Sequence, residues 1–394
     1  MRIMNKKSSS GVTEYLGVFH KKRSLFEGTA LILSGTIGAG IVGIPFVVSH
    51  IGVGLGILYI VLVGMLMIGL NILIGELAVK IGKPLQLVGF AEHYFGKAGK
   101  WFMTLLLYSL LIGVLVVYII GEGQALQELF GGSRFVWSLV FFIIASTIIA
   151  IGLRTAKTVE LLLTLFILAV VLALAAVSAS HIKIPHITTF SFADILLPYG
   201  VLLFAFHGTT SIPEAHATLR GDQKTFRKAI FLAGIISIIV YALFTFIVIR
   251  VTAEATTEIA TIGLGRTVGP SVFYLANIFS VLAMGTSCVM AGLALRDSLR
   301  WDFRLSYMNA TVLTCGVPMV LFLLGLRGFI SVIGLVGGVL MSVEMIILTL
   351  IYLRAKQRKD WHAGPFKLHY TMLLVTLLLL GFTVGAVYSV LTIF

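Results

Sequence analysis

The chain has 394 residues, 59% apolar and only 11% charged, with a mean hydropathy of +1.07. A soluble domain carries about 25% charged residues, so the composition excludes a soluble enzyme and leaves no room for a large soluble domain. The net charge of +13 would suggest nucleic acid in a soluble protein, but here it reads as loop charge that orients membrane spans, and no nucleic-acid partner is expected.

Residues 1–25 are polar and rich in Ser and Lys, and read as a cytoplasmic tail. The apolar run after Lys21-Lys22-Arg23 is too long for a signal-peptide core and lacks a small-residue cleavage site, so it is kept as the first span. Apolar runs long enough for a bilayer then place eleven spans. They lie at about 26–49, 52–80, 100–121, 135–153, 157–180, 194–219, 226–250, 269–295, 305–326, 328–353 and 369–393. The fold class is therefore an all-α polytopic membrane protein. With the N-terminus inside, inside segments carry 24 Lys and Arg and outside segments 5. That asymmetry predicts a multi-pass protein of the cell membrane, with a cytoplasmic N-terminus and an extracytoplasmic C-terminus. Cys288 and Cys315 fall in spans and read as apolar filler, with no disulfide or metal role.

The first span holds Ser34–Phe46, S-G-T-I-G-A-G-I-V-G-I-P-F, with Gly35, Gly38, Gly40, Gly43 and then Pro45. Glycine weakens a helix interior by about 1 kcal/mol relative to alanine, and proline removes a donor. Backbone groups freed in lipid are tolerated only where protein or ligand satisfies them. A break at mid-membrane is therefore the best pointer to a transporter's binding site, although small residues also serve close helix packing. A dinucleotide-binding reading of the glycines fails, because that motif needs a preceding strand and a soluble βαβ unit.

The sixth span contains a second break. It reads P-Y-G-V-L-L-F-A-F-H-G-T-T-S-I-P-E from Pro198 to Glu214, interrupted at His207-Gly208-Thr209-Thr210. The two broken spans stand five apart, and the loops at about 81–99 and 251–268 are of similar length, each able to carry a short helix. Five is odd, so the halves have opposite topology, the inverted repeat of many secondary transporters. The organisation is a tail (1–25), a first repeat (26–183), a second repeat (194–353), and a loop with an extra span (354–394), forming one transport domain.

The run G-T-I-G-A-G-I-V-G-I-P-F, the Glu76-Leu77-Ala78 that ends span 2, and F-A-F-H-G-T-T-S-I-P-E in span 6 resemble the amino acid–polyamine–organocation superfamily. They are most similar to its amino acid/auxin permease branch, with the sodium-coupled neutral amino acid transporters and bacterial aromatic amino acid permeases. The resemblance covers spans 1–10. It implies the five-plus-five inverted-repeat fold first seen in a bacterial leucine transporter, with discontinuous helices 1 and 6. The short loops, and eleven spans where twelve are common, depart from typical members.

An amino acid brings a carboxylate and an ammonium. The N–H groups of Gly38, Ala39, Gly40 and Ile41 cap a half-helix whose positive dipole end favours an anion, and are assigned to the carboxylate. Carbonyls near Thr36 and at Phe204–His207 are assigned to the ammonium, and Phe204, Phe206 and His207 to the side-chain pocket. On this assignment a valine at Gly40 abolishes uptake and leaves expression near normal. Tyr108, halfway along the expected span 3, places a hydroxyl either at the site or in an interhelical bond. In span 8, Ala283, Thr286 and Ser287 share one helical face by their i, i+3, i+4 spacing. Aimed at the carbonyls of Ser34 and Ile37, they would complete an oxygen cage for a hard cation. The leucine transporter's second sodium site has this spacing, so the resemblance implies sodium as coupling ion, although Ser and Thr also bond between helices. Proton coupling is the rival, with His207 as candidate. Proton-coupled relatives place a lysine deep in span 5, where this chain has only Lys157 at the mouth. Of the acids, Glu76 is expected to pair with Lys80, Glu160 with Arg154, and Glu214 to tether the inner gate, while Glu344 has no assigned role. Arg354–Lys359 reads as a lipid-facing loop.

The sequence therefore predicts a cation-coupled importer of neutral amino acids that works by alternating access, as a monomer or weak homo-oligomer. A transporter of another solute, such as a polyamine or metal ion, on the same fold is the alternative, although a polyamine site would want more acids facing the pocket. The metal-ion branch carries an Asp-Pro-Gly break and a methionine in span 6, both absent here. A membrane enzyme or a channel would need a nucleophile–base pair, a metal cluster or a filter repeat, and no such pattern is present.

Overall fold

The computed structural model describes residues 25–83, 85–152, 157–182, 194–219, 222–357 and 371–393. The tail with Lys21-Lys22-Arg23, the loop residues Arg154, Lys183 and 358–370, and the side chains of Lys157 and Glu160 lie outside this description. The described residues contain helices and no strands. They are α1 (Leu25–Thr36), α2 (Gly40–Ser49), α3 (Val53–Ile81), α4 (Leu87–Phe130), α5 (Arg134–Ile151), α6 (Lys157–Ser178), α7 (Pro198–Phe206) and α8 (Ser211–Thr218). After these come α9 (Gln223–Thr252), α10 (Ala260–Val268), α11 (Pro270–Asp302), α12 (Tyr307–Leu323), α13 (Phe329–Leu335), α14 (Ser342–Lys356) and α15 (Thr371–Ile393).

Seven of these helices are long and apolar enough to cross a membrane, and α1 with α2 makes an eighth, bent by 59°. The remaining three expected spans fall on α6, whose apolar stretch with described side chains is Leu165–His181, on the short pair α7 and α8, and on α12. The count of eleven is reached only with these three included. Large apolar side chains such as Leu62, Leu105, Ile143, Leu324 and Leu380 face outward, as they do toward lipid tails.

Both loops that were expected to carry a helix do so. Leu87–Phe95 precedes a kink at Gly96, whose φ of 68° and ψ of −155° suit only glycine. On the other loop lies α10, with Thr257 capping Gly263 by a 2.9 Å bond. The third span corrects the sequence reading: α4 runs on to Phe130 rather than ending near 121.

Between α13 and α14 the helix widens into a π-helical turn, Val336–Met341. Gly200 of α7 lies against it. A Cβ on Gly200 would stand 2.8 Å from the Gly334 carbonyl oxygen and 3.0 Å from the Gly338 nitrogen. Tyr199 and Ser342 join the same elements through a 2.8 Å hydroxyl pair.

Candidate functional site

Both predicted breaks are present and lie side by side. Ile37–Ala39 separates α1 from α2, and His207–Thr210 separates α7 from α8. Gly40 sits on Ala205: a Cβ there would come within 2.6 Å of the Ala205 Cβ and 2.9 Å of its nitrogen. Thr36 lies on Gly208, and Gly35 on Ser211. The glycines thus serve close packing of two backbones as well as breakage.

At the first break Ile37 N–H still closes the last turn of α1, on Leu33 at 2.8 Å. The N–H groups of Gly38, Ala39 and Gly40 have no main-chain acceptor among the described residues. Ile41 differs from expectation: its N–H turns back to Gly38 at 3.4 Å and that of Val42 to Ala39 at 3.2 Å, so the first turn of α2 is tight. Three free amides, not four, crown this half-helix. The carbonyls of Ser34, Gly35 and Ile37 likewise receive no main-chain N–H.

The expected acceptors of the second break are partly occupied. Tyr241 of α9, fully buried, donates its hydroxyl to the Ala205 carbonyl at 2.7 Å and lies 3.1 Å from the Thr36 carbonyl. One hydroxyl carries one proton, so the pair of carbonyls shares it, and the two breaks are bridged through a third helix. The carbonyls of Phe206 and His207 have no main-chain donor among the described residues. Phe204 and Phe206 are both buried. Phe206 packs edge-on to Tyr241 with centroids 4.8 Å apart and reaches the Gly64 position of α3. It thus fills the α3–α9 seam. Phe204 lies against Gly337 of the π turn.

His207 caps α7, and its Nε2 stands 2.7 Å from Oε2 of Glu344. Thr209 donates to the other carboxylate oxygen at 3.0 Å and lies 3.2 Å from the same imidazole nitrogen. Glu344 and Thr209 are fully buried. The acid left without a role by the sequence is therefore the partner of the central histidine. Of the other acids, Glu76 receives the Tyr352 hydroxyl at 2.8 Å with the charge of Lys80 nearby, as expected, and Glu214 faces Gln86 of the α3–α4 loop at 3.4 Å.

Of the two expectations for Tyr108, the structure has the interhelical bond and not a place at the break. The Tyr108 hydroxyl pairs with Ser298 at 2.8 Å, and its ring lies on Phe303 at the far end of α11. The reason is depth. The sequence reading ended the span near 121, whereas α4 extends nine residues further, which moves its midpoint by several residues. The tyrosine that α4 brings to the break is Tyr118, whose hydroxyl bonds Ser287. A Cβ on Gly38 would stand 3.4 Å from that hydroxyl and 3.5 Å from Ser287 Oγ.

The expected cation set is divided. Ser287 turns to Tyr118. Thr286 donates to its own helix, to Leu282 at 2.7 Å and to the buried Ala283 carbonyl at 3.3 Å. Ser34 donates to Leu31 at 2.8 Å. Their oxygen lone pairs remain available to a cation. No cluster of three or more His, Cys, Asp or Glu suited to a metal occurs among the described residues.

Sequence and structure comparisons place this geometry among known proteins. The profile of the tryptophan/tyrosine permease family matches residues 21–389. Tyrosine-specific transport system 1 of Haemophilus influenzae is 27% identical over 390 residues, covering 91% of this chain and 95% of the relative. Glutamine transporter 2 of Aliivibrio fischeri is 24% identical over 380 residues, covering 90% and 98%. Among solved structures, MhsT in complex with L-phenylalanine superposes with a TM-score of 0.63 at 16% identity, covering 93% of this chain and 98% of that one. At that identity the likeness is one of fold, the leucine-transporter fold that the resemblance implied.

Proposed function

Because this chain belongs to the tryptophan/tyrosine permease family, we propose that it is a secondary active transporter of neutral amino acids, driven by a cation through alternating access. The observation that carries the reading is the pairing of unlike ends at the breaks. Free N–H groups at Gly38–Gly40 lie beside a second break whose Phe206 and His207 carbonyls lack main-chain donors. Donors at a positive helix end suit a carboxylate, and bare carbonyls suit an ammonium. The relatives named for tyrosine and glutamine transport support an amino acid as the cargo, and the family supports an aromatic one. The Lys and Arg asymmetry supports a cytoplasmic N-terminus.

Sodium is the first coupling ion in this reading. The donor-free carbonyls of Ser34 and Ile37 and the oxygens of Ala283, Thr286 and Ser287 would supply its ligands. A second reading, proton coupling, is favoured by the buried His207–Glu344 pair at the break. Uptake of radiolabelled tyrosine into proteoliposomes tests both. Accumulation under an imposed sodium gradient supports the first, and accumulation under a pH gradient the second. No accumulation of any amino acid under either gradient refutes the function.

A further inference from the structure

Glu122 lies on α4 one turn beyond Tyr118. It is fully buried, and neither carboxylate oxygen has a hydrogen-bond partner among the described residues. It points at α11, where a Cβ on Gly285 would stand 3.1 Å from Oε1 and 3.7 Å from the ring of Phe141. The glycine makes the space that the carboxyl group fills. Gly285 belongs to the same stretch of α11 as Ser287, which bonds Tyr118 beside Gly38. Glu122 thus sits about 6 Å along the helix axis from Tyr118, the residue whose hydroxyl touches the first break.

An ionised carboxylate buried without a donor is far more costly than the neutral acid. A metal cation would need several oxygens around it, but the surroundings are a phenylalanine ring, a glycine and the Cys288 thiol. The titratable or charged groups on the packed elements do not neutralise it. Cys288 of α11 is a thiol, and Cys315 of α12 lies beyond it. Arg134 of α5 turns to the Gln124 side chain and the Arg327 carbonyl. Glu344 of α14 is held by His207 and Thr209. Arg296 and Asp297, about three turns further along α11, hold each other at 2.8 Å. From α13 comes Phe329, packed against Gly121.

We propose that Glu122 is a proton-binding site of the transport cycle, protonated while the α4–α11 seam is dry and releasing its proton to water when that seam is wetted. The carboxyl O–H bond breaks, water takes the proton, and the carboxylate is left hydrated. This deepens the proton-coupled form of the reading above and rests on it.

The test uses full-length protein in proteoliposomes with radiolabelled tyrosine, comparing wild type with Glu122→Gln, a neutral near-isostere of the protonated acid. The variant should keep tyrosine exchange at zero gradient and lose accumulation driven by a pH gradient. Wild-type accumulation and pH profile in the variant would overturn the proposal. Infrared spectroscopy gives an independent readout that needs no substrate. At neutral pH the carbonyl band of a protonated carboxylic acid should be present in wild type, absent in Glu122→Gln and retained in Glu344→Gln. No such band in wild type, or its survival in Glu122→Gln, would overturn the assignment. If wild type exchanges no amino acid, the transport reading fails while the infrared result still decides the proton site. Glu122→Met serves the same comparison if the glutamine variant does not express.

Discussion

His207 and Glu344, 137 positions apart in sequence, meet at 2.7 Å where α7 ends. With Thr209 they satisfy the polar side chains at the second break. Removing one member of a buried pair strands the other, at a cost of about 3–5 kcal/mol when both are charged. His207→Ala should therefore lower the melting temperature more than Glu344→Gln, whose amide still reaches both neighbours. Both should reduce uptake. Melting curves of the two purified variants check this, and equal losses would contradict it.

Tyr241→Phe keeps the ring against Phe206 but removes the donor shared by Ala205 and Thr36. A buried carbonyl left unpaired costs about 1–3 kcal/mol. Lower thermal stability and weaker tyrosine binding are expected together, because one hydroxyl holds both breaks. Unchanged affinity, measured by scintillation proximity, would separate the bridge from the site.

Gly40 and Gly38 should behave differently. Any side chain at Gly40 meets the Ala205 backbone, and overpacking of this kind costs about 1–3 kcal/mol or more. Gly40→Val is thus expected to impair folding, contrary to the sequence expectation of normal expression. A Cβ at Gly38 finds ordinary contact distances. Gly38→Ala should express normally and raise KM for uptake by crowding the free amides. An unchanged KM would remove Gly38 from the carboxylate site.

A transported amino acid should stabilise the protein by RT ln(1 + [L]/Kd), about 2.7 kcal/mol at a hundredfold excess over Kd. A thermal-shift screen of all twenty amino acids, with and without sodium and across pH, is expected to single out tyrosine or tryptophan. A response confined to glutamine would shift the cargo to the other kind of relative. Silence from all twenty would count against the function.

The breaks were legible in sequence because glycine and proline act locally: Gly38, Gly40 and the run at His207–Thr210 disfavour a helix wherever they stand. Depth was not legible. Tyr108 looked central because α4 looked shorter than its 44 residues, and the same error put Glu122 one residue outside the expected span. The signal was present in the i, i+4 spacing of Tyr118 and Glu122. Tyr241 and Glu344 could not be read this way, since each acts through packing of helices remote in sequence.

The contact of Gly200 with residues 334–338 is main chain against main chain, with no side chain between to act as a bearing. So α7 cannot slip or roll without dragging the widened turn, and Glu344 just beyond it, along with it. The imidazole and its carboxylate therefore ride on one rigid carriage. Any swing of α8 relative to α7 has to be absorbed by the four residues that separate them, His207–Thr210, two of which are moored to that carriage through Glu344.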